Sequence, residues 1–185
     1  MLIALTGFMG CGKTTVGRGL AEALGCPFVD LDEEIVRKAG RDIPTIFSQD
    51  GEAGFRRLEK QALERMVARY AESTAVLSLG GGTVTIPGAV ALLQEKTLCI
   101  YLRATLETLR ARLEGQTAGR PLAAAQDKAQ QPAAGPAQQP SPDRERLSAL
   151  LDARLPLYES AAQVVLDTDN ATPEALIDEI IISCL

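Results

Sequence analysis

The nine residues that begin at Gly7, Gly-Phe-Met-Gly-Cys-Gly-Lys-Thr-Thr, constrain this chain more than any other stretch. They contain the complete pattern G-x-x-x-x-G-K-T, with Gly7, Gly12, Lys13 and Thr14 at its defining positions. A short apolar run of strand type precedes the pattern, and a helical repeat of apolar residues follows it. A strand, a glycine loop and a helix in this order predict a phosphate-binding loop at the end of a strand.

The residue types of this loop suit a triphosphate. Glycines let the backbone approach closely and turn successive N–H groups inward. The following helix adds unpaired amides and the positive end of its dipole. Lys13 is expected to reach the β- and γ-phosphates, and the Thr14 hydroxyl is expected to bind Mg²⁺. The alternative is a glycine-rich turn in which the lysine is incidental. Four matched positions between a strand and a helix argue against that alternative.

Length and composition predict one globular domain, 1–185. The net charge of −5 argues against nucleic acid as a partner. No apolar run approaches the roughly 20 residues of a membrane span, and no signal peptide is recognised, so we expect a cytoplasmic protein without a membrane partner. Histidine is absent and the four cysteines are widely spaced, which argues against a zinc site and against a Ser-His or Cys-His nucleophile.

Apolar strands alternate with helical patterns, which predicts an α/β domain with a parallel five-stranded sheet. The predicted strands are 1–5, 28–31, 75–79, 98–102 and 163–166. A small helical turn at 43–47, containing Pro44, precedes a long helix predicted from Gly51 to about Tyr70, and a shorter helix is predicted from Pro87. The segment 123–142 is rich in Ala, Gln and Pro and is predicted to be a flexible insertion in a surface loop.

Two aspartates flank Leu31 where the second predicted strand ends. Alternation along a strand would put Asp30 and Asp32 on one side. The carboxyl end of a parallel strand is where open α/β sheets bind ligands. The alternative is a helix N-cap formed by Asp32, favoured by the acidic residues after it. The nearby phosphate loop leads us to favour a functional pair.

Arginines and glycines supply further candidates. Arg56 and Glu59 lie three apart on a predicted helix and can pair, although an exposed helical ion pair is the common alternative. The triplet 80–82 contains only glycine and follows the third strand, which indicates close approach of the backbone to another group. A basic helix after Thr105 carries Arg110 and Arg112.

Together these motifs resemble those of the shikimate kinase family over nearly the whole chain, least clearly at 123–142. The matching pieces are the G-x-x-G-x-G-K-T-T loop, D-L-D at 30–32, F-R-R-L-E at 55–59, G-G-G at 80–82, R-P-L at 120–122, and R-x-x-x-Y at 154–158. The connection after R-P-L is longer than is usual in the family. The resemblance implies a three-layer P-loop kinase fold similar to the nucleoside monophosphate kinases, with sheet order 2-3-1-4-5, a shikimate-binding helical region at about 33–61 and an extended lid at about 115–142.

The resemblance also implies an activity, namely transfer of the ATP γ-phosphoryl group to the 3-hydroxyl of shikimate. The products would be shikimate 3-phosphate and ADP, in aromatic amino acid biosynthesis, with Mg²⁺ as cofactor and a monomer as the expected state. The residues implied to bind ATP are Gly10, Cys11, Gly12, Lys13, Thr14, Thr15, Arg112 and Arg120. Those implied to bind shikimate are Asp32, Arg56, Glu59, Gly81, Gly82 and Arg154.

Specific roles follow from the same resemblance. The resemblance implies that Thr14 and Asp30 hold the metal ion, and that Asp30 does so through a water molecule. Lys13, Asp32 and Arg120 are implied in catalysis, with Asp32 as the base and Arg120 in the lid. The arginine beside adenine aligns best with Arg112, and Arg110 remains open.

Two other classes of function could use the same phosphate loop. Another small-molecule kinase, such as a sugar-acid or nucleotide kinase, could use the same scaffold. A GTP switch or a non-enzymatic nucleotide-binding module would need D-x-x-G and N-K-x-D motifs, and neither occurs in the sequence.

Overall fold

The computed structural model describes residues 1–116 and 144–184. Its centre is a five-stranded parallel sheet with strand order β2-β3-β1-β4-β5, which confirms the expected topology. Predicted lid residues 117–142, including Arg120 and the segment 123–142, lie outside the described residues. The strands are β1 (Leu2–Thr6), β2 (Phe28–Asp30), β3 (Ala75–Ser78), β4 (Leu98–Arg103) and β5 (Val164–Asp167).

Helices cover the sheet on both faces. They are α1 (Lys13–Ala23), α2 (Leu31–Ala39), α3 (Ile43–Arg69), α4 (Ala89–Lys96), α5 (Leu106–Gln116), α6 (Arg144–Ala161) and α7 (Pro173–Cys184). A short 3₁₀ helix, Thr83–Thr85, precedes α4. Helix α1 packs against α7, and α4 packs against α6. No helix in the described part of the chain has the length and hydrophobicity needed to span a bilayer.

Successive side chains of β1 point to opposite faces of the sheet, and each face is covered by a different helical layer. Leu5 contacts α1, since a Cβ built on Gly17 would lie 3.1 Å from its Cδ1. Thr6 faces the other way and is in register with Tyr101 of β4. Tyr101 stacks on Tyr158 of α6 with ring centroids 5.1 Å apart. The fold therefore has three layers, as the resemblance implied.

The central strands are buried on both faces. Every residue of β1 and β3 is buried, and these strands contain Leu, Ile, Val and Ala with few polar residues. Continuous apolar runs of this kind are typical of parallel strands covered by helices. Each fully buried Leu or Ile contributes roughly 1.5–3 kcal/mol to stability. The same packing fixes the carboxyl ends of the strands, where the phosphate loop begins.

The second strand is shorter than predicted. β2 ends at Asp30 and α2 begins at Leu31, so strand alternation does not extend to Asp32. The N-cap is Asp30, whose Oδ1 accepts from the backbone N–H of Asp32 at 3.0 Å and of Glu33 at 3.4 Å. The interpretation of Asp32 as the cap is wrong, because the helix begins one residue before it.

Helix α3 joins the two predicted helices through a break at Gly51. This residue has φ 68° and ψ −178°, a conformation that is essentially restricted to glycine. Phe47 and Phe55, on either side of the break, stack with ring centroids 4.7 Å apart. Helix α4 begins at Ala89 rather than at Pro87, because Gly88, with φ 86°, forms its N-cap.

Candidate active site

A cavity of about 330 Å³ opens at the carboxyl ends of β1, β2 and β3. Segments that are far apart in the sequence line it together. The predicted site residues on its walls are Gly10, Gly12, Lys13, Thr14, Thr15, Asp30, Asp32, Arg56, Glu59, Gly81, Gly82 and Arg154. The nucleotide candidates and the second-substrate candidates therefore share one site.

The phosphate loop curls around the Lys13 side chain. Gly7, Gly10 and Gly12 all have positive φ, of 141°, 82° and 102°. A Cβ at Gly7 would lie 2.6 Å from the carbonyl oxygen of Leu102, so close packing on β4 also requires glycine there. Lys13 Nζ donates to the carbonyl oxygens of Gly7 at 2.8 Å and Phe8 at 2.9 Å. Helix α1 begins at Lys13, in the context that the motif predicted.

Asp30 joins the phosphate loop to α2. Its Oδ1 caps that helix, and its Oδ2 accepts a hydrogen bond of 3.3 Å from the Thr14 hydroxyl. Two oxygen-bearing side chains, one from the first helix and one from the end of β2, thus meet at the floor of the cavity. Hard divalent cations prefer such oxygen ligands.

Asp32 lines the cavity, and the pKa of its carboxyl group is raised. Its pKa is raised to about 6, mainly by burial and to a smaller extent by the negative charges of Asp30 and Glu59. The positive charges of Lys13 and Arg56 act in the opposite direction. A carboxyl group with a pKa near 6 is mostly ionised at neutral pH and can accept a proton.

Arg56 is held by a buried carboxylate. Glu59 is 1% exposed, and its Oε2 accepts from Arg56 Nη1 at 2.6 Å. Its Oε1 accepts a 2.6 Å hydrogen bond from the hydroxyl of Thr83, which is also buried. The alternative of an exposed helical ion pair is therefore wrong. Sequence reasoning gave Thr83 no role, because its partner is 24 residues away.

The glycine triplet leaves room for this ion pair. A Cβ at Gly80 would lie 2.8 Å from Oε1 of Glu59, and a Cβ at Gly82 would lie 2.6 Å from Nη1 of Arg56. Any side chain at either position would displace a charged group. In the described part of the chain, the N–H groups of Gly81 and Gly82 have no hydrogen-bond acceptor. The close approach predicted for the triplet is thus made to Glu59 and Arg56.

Arg154 reaches the cavity from α6. It is 7% exposed, and its Nη1 donates to the carbonyl oxygen of Gly81 at 3.3 Å. Its guanidinium lies 5.9 Å from the centre of the Phe8 ring, at the start of the phosphate loop. Tyr158, one turn further along α6, donates its hydroxyl to the same carbonyl oxygen. In the sequence, Tyr158 was recognised only as part of the R-x-x-x-Y motif, and no role was predicted for it.

Of the two arginines on α5, Arg112 contacts the phosphate loop. Its Nη1 donates to the carbonyl oxygen of Cys11 at 3.4 Å, and its Nη2 donates to that of Thr168 at 2.7 Å. Arg110 instead pairs with Glu114 on its own helix at 3.4 Å. The side chain of Cys11 is buried in the core rather than in the cavity.

Comparison with known proteins identifies the family. The family model described as shikimate kinase matches residues 9–185. The shikimate kinase of Enterococcus faecalis is 39% identical over 180 residues, which cover 97% of this chain and 95% of that protein. The shikimate kinase of Saccharopolyspora erythraea is 43% identical over 172 residues, which cover 93% of this chain and 87% of that protein.

Solved structures agree with these relatives. The shikimate kinase from Acinetobacter baumannii in complex with shikimate has a TM-score of 0.78 and 34% identity, covering 97% of this chain and 90% of that one. A gluconokinase from Sinorhizobium meliloti, at 18% identity and a TM-score of 0.55, covers 97% of this chain and 89% of that one and shares the fold alone. On these matches, the chain belongs to the shikimate kinase family.

Proposed function

We propose that this chain transfers the γ-phosphoryl group of ATP to the 3-hydroxyl of shikimate, giving shikimate 3-phosphate and ADP. The observation that carries the proposal is the single cavity in which a phosphate loop faces two arginines and a carboxyl group with a raised pKa. Phosphoryl transfer depends on holding two substrates in line and on stabilising the charge of the transferred group. One cavity with both sets of groups meets that need.

The second substrate is recognised through its carboxylate. Arg56 and Arg154 approach the cavity from α3 and α6, and each can offer two parallel N–H donors to a carboxylate. Glu59 keeps Arg56 in place, and the free N–H groups of Gly81 and Gly82 add donors for substrate oxygens. A carboxylic acid that also carries hydroxyls fits this set better than a nucleotide.

Asp32 is the proposed base. A hydroxyl nucleophile needs a nearby acceptor for its proton, and the chain contains no histidine. With a pKa of about 6, Asp32 is ionised at neutral pH and yet basic enough to take a proton in the transition state. The charges of both Lys13 and Arg56 act on its pKa, which supports a role for Asp32 near both proposed substrate regions.

The nucleotide is bound by the phosphate loop, namely by its amides together with Lys13, Thr14 and Thr15. Arg112 is the proposed neighbour of adenine, since it lies against the loop while Arg110 does not. Arg120 is proposed from the sequence alone to meet phosphate oxygens when a lid, 115–142, closes. Lid closure would exclude water that could otherwise hydrolyse ATP.

Mg²⁺ is the proposed metal, with Thr14 and Asp30 as the residues that hold it. Their paired oxygens fit a hard cation that keeps several water ligands and takes few from the protein. When bound with ATP, the ion neutralises negative charge on the phosphates. We further propose that 1–185 acts as one kinase domain and as a monomer, with a shikimate-binding helical region at about 33–61.

A coupled assay of ADP release tests the proposed function. Purified protein is given Mg·ATP with shikimate, with gluconate or with nucleoside monophosphates. We expect turnover with shikimate alone, and a product in which phosphorus NMR and mass spectrometry find the phosphate on the 3-hydroxyl. Turnover with gluconate or a nucleotide, and none with shikimate, would overturn the proposal in favour of another small-molecule kinase.

A further inference from the structure

One carbonyl oxygen in the glycine triplet accepts two hydrogen bonds from the same helix. The hydroxyl of Tyr158 and Nη1 of Arg154, one turn apart on α6, both donate to Gly81 O. Tyr158 has no exposed surface, and its ring stacks on Tyr101 at an interplanar angle of 24°. The stack fixes the ring against the sheet, so the hydroxyl is a fixed donor rather than a mobile one.

The geometry of a peptide bond transmits this constraint to the next residue. A trans peptide is planar, so the carbonyl oxygen of Gly81 and the N–H of Gly82 point in opposite directions. All peptide bonds of the described residues are trans. Both donors to Gly81 O lie on α6, and the Gly82 N–H therefore points away from that helix. Gly82 lines the cavity, and its N–H has no acceptor among the described residues.

A peptide between two glycines would otherwise rotate readily. Neither Gly81 nor Gly82 has a side chain that restricts its dihedral angles, and glycine has the broadest conformational freedom of all residues. Two hydrogen bonds to one oxygen oppose such a rotation. They also hold the guanidinium of Arg154 beside the triplet, since Arg154 is one of the two donors.

We propose that Tyr158 is a positioning residue for the second substrate. Its hydroxyl fixes the Gly81–Gly82 peptide and, through the shared carbonyl oxygen, the guanidinium of Arg154. The Gly82 N–H is thereby held pointing away from α6 and the arginine is held beside Gly81 O, so that both groups keep fixed positions for a substrate with a carboxylate and hydroxyls. This inference rests on the proposed function, because it assumes that the second substrate binds at these groups.

The hydroxyl of Tyr158 remains a donor at all working pH values. Burial raises its pKa well above the usual value of a tyrosine. The ring itself serves the core through its stack on Tyr101, and a phenylalanine would keep that stack. The hydroxyl and the ring can therefore be separated by one substitution.

Steady-state kinetics of Tyr158→Phe, with Tyr101→Phe as the matched control, test the proposal. Tyr101 belongs to the same stack, and its hydroxyl makes no hydrogen bond to the described residues. We expect Tyr158→Phe to raise KM for shikimate about 3- to 10-fold, the effect of one lost hydrogen bond. KM for ATP should stay within about twofold, because the phosphate loop holds its own donors. Tyr101→Phe should change neither constant.

A second measurement does not depend on turnover. In ¹H–¹⁵N spectra without substrate, Tyr158→Phe should move the Gly82 amide resonance and speed its hydrogen exchange, and Tyr101→Phe should not. An unmoved Gly82 resonance overturns the positioning role. Equal rises in both KM values, or a lower melting temperature with unchanged KM for shikimate, would also overturn it and make Tyr158 purely structural.

The two proposals fail in different ways. If the wild-type protein does not phosphorylate shikimate, the proposed function is wrong, and with it the substrate assigned to this inference. If the wild-type protein is active and Tyr158→Phe has wild-type kinetics, only the inference is wrong.

Discussion

The two halves of the cavity differ in the sequence separation between the residues that bond to each other in them. In the phosphate loop, Lys13 bonds to carbonyl oxygens six and five residues away. In the second-substrate half, the hydrogen bond from Thr83 to Glu59 spans 24 residues, and the one from Tyr158 to Gly81 spans 77. One half is a local structure, and the other is assembled by the packing of α3, the triplet and α6.

This difference predicts where distant substitutions act. The loop that surrounds Lys13 should keep its geometry when a contact in the other half is lost, because the hydrogen bonds of Lys13 lie within one segment. The assembled half depends on buried polar groups that hold one another, and the loss of one leaves its partner unsatisfied. We therefore expect substitutions away from the substrates to change shikimate binding more often than ATP binding. The following experiments test that contrast.

The largest effect is expected from Asp32→Asn. The change removes the proposed base, which sits where the two halves meet, so kcat should fall by about 10²–10⁴-fold. Stopped assays of ADP formation would measure it. Asp178→Asn, on the exposed face of α7, is the control and should leave kcat unchanged. Retention of more than a tenth of wild-type kcat by Asp32→Asn would argue against Asp32 as the base.

Lys13→Met should lower kcat by about 10²–10³-fold through lost charge stabilisation at the phosphates. Because Lys13 belongs to the local half, the affinity for shikimate alone should stay within about threefold, as measured by calorimetry. Lys38→Met, an exposed lysine of α2, is the control. Loss of shikimate binding in Lys13→Met would contradict the contrast between the halves.

Arg56→Ala should raise KM for shikimate by about 10- to 100-fold, since it removes charge-assisted hydrogen bonds to the substrate. KM for ATP should change little. The neighbouring Arg57 is exposed, and Arg57→Ala should behave as the wild type. A normal KM for shikimate in Arg56→Ala would mean that the carboxylate is bound elsewhere.

The activity should fall about tenfold per pH unit below pH 6, because protonation of Asp32 removes the base.

The stability changes with pH in the opposite sense to the activity. The folded-state pKa of about 6 lies above the usual 3.8, so the protonated form of Asp32 favours the folded state. This contribution to the free energy of unfolding is fully present below pH 4 and is lost as the pH rises through 6. Asp32→Asn should therefore melt at a higher temperature than the wild type at pH 7, and the two should converge near pH 4. A lower melting temperature of the variant at pH 7 would show that the buried charge of Asp32 does not destabilise the fold.

The smallest effect is expected from Thr83→Val, which leaves Oε1 of Glu59 without its donor. The arginine held by Glu59 should then be less well oriented, and KM for shikimate should rise about 2- to 10-fold. Thr97→Val removes a hydroxyl that bonds to the end of α4, far from the cavity, and serves as the control. Equal kinetics of the two variants would remove Thr83 from the substrate-binding half.

The sequence predicted the local half well and the assembled half in part. The phosphate loop was evident because its motif, strand and helix are contiguous. Glu59 lies off the apolar stripe of its helix, so exposure was an open alternative, and its burial follows from packing against the triplet and Thr83. The roles of Thr83 and Tyr158 depend on partners in distant segments, which periodicity and propensity do not reveal. Asp32 was a candidate cap because the end of a three-residue strand cannot be placed from alternation alone.

The break at Gly51 bears on attempts to stabilise this enzyme by design. Replacing a helix-interior glycine by alanine is a common choice, because it lowers the entropy of the unfolded chain. At Gly51 the positive φ of 68° makes that choice unsuitable, although nothing lies within 4 Å of the added methyl group. An alanine there would favour one straight helix and separate Phe47 from Phe55. A thermostability library for this fold should therefore keep glycine at this position, however helical the surrounding sequence is.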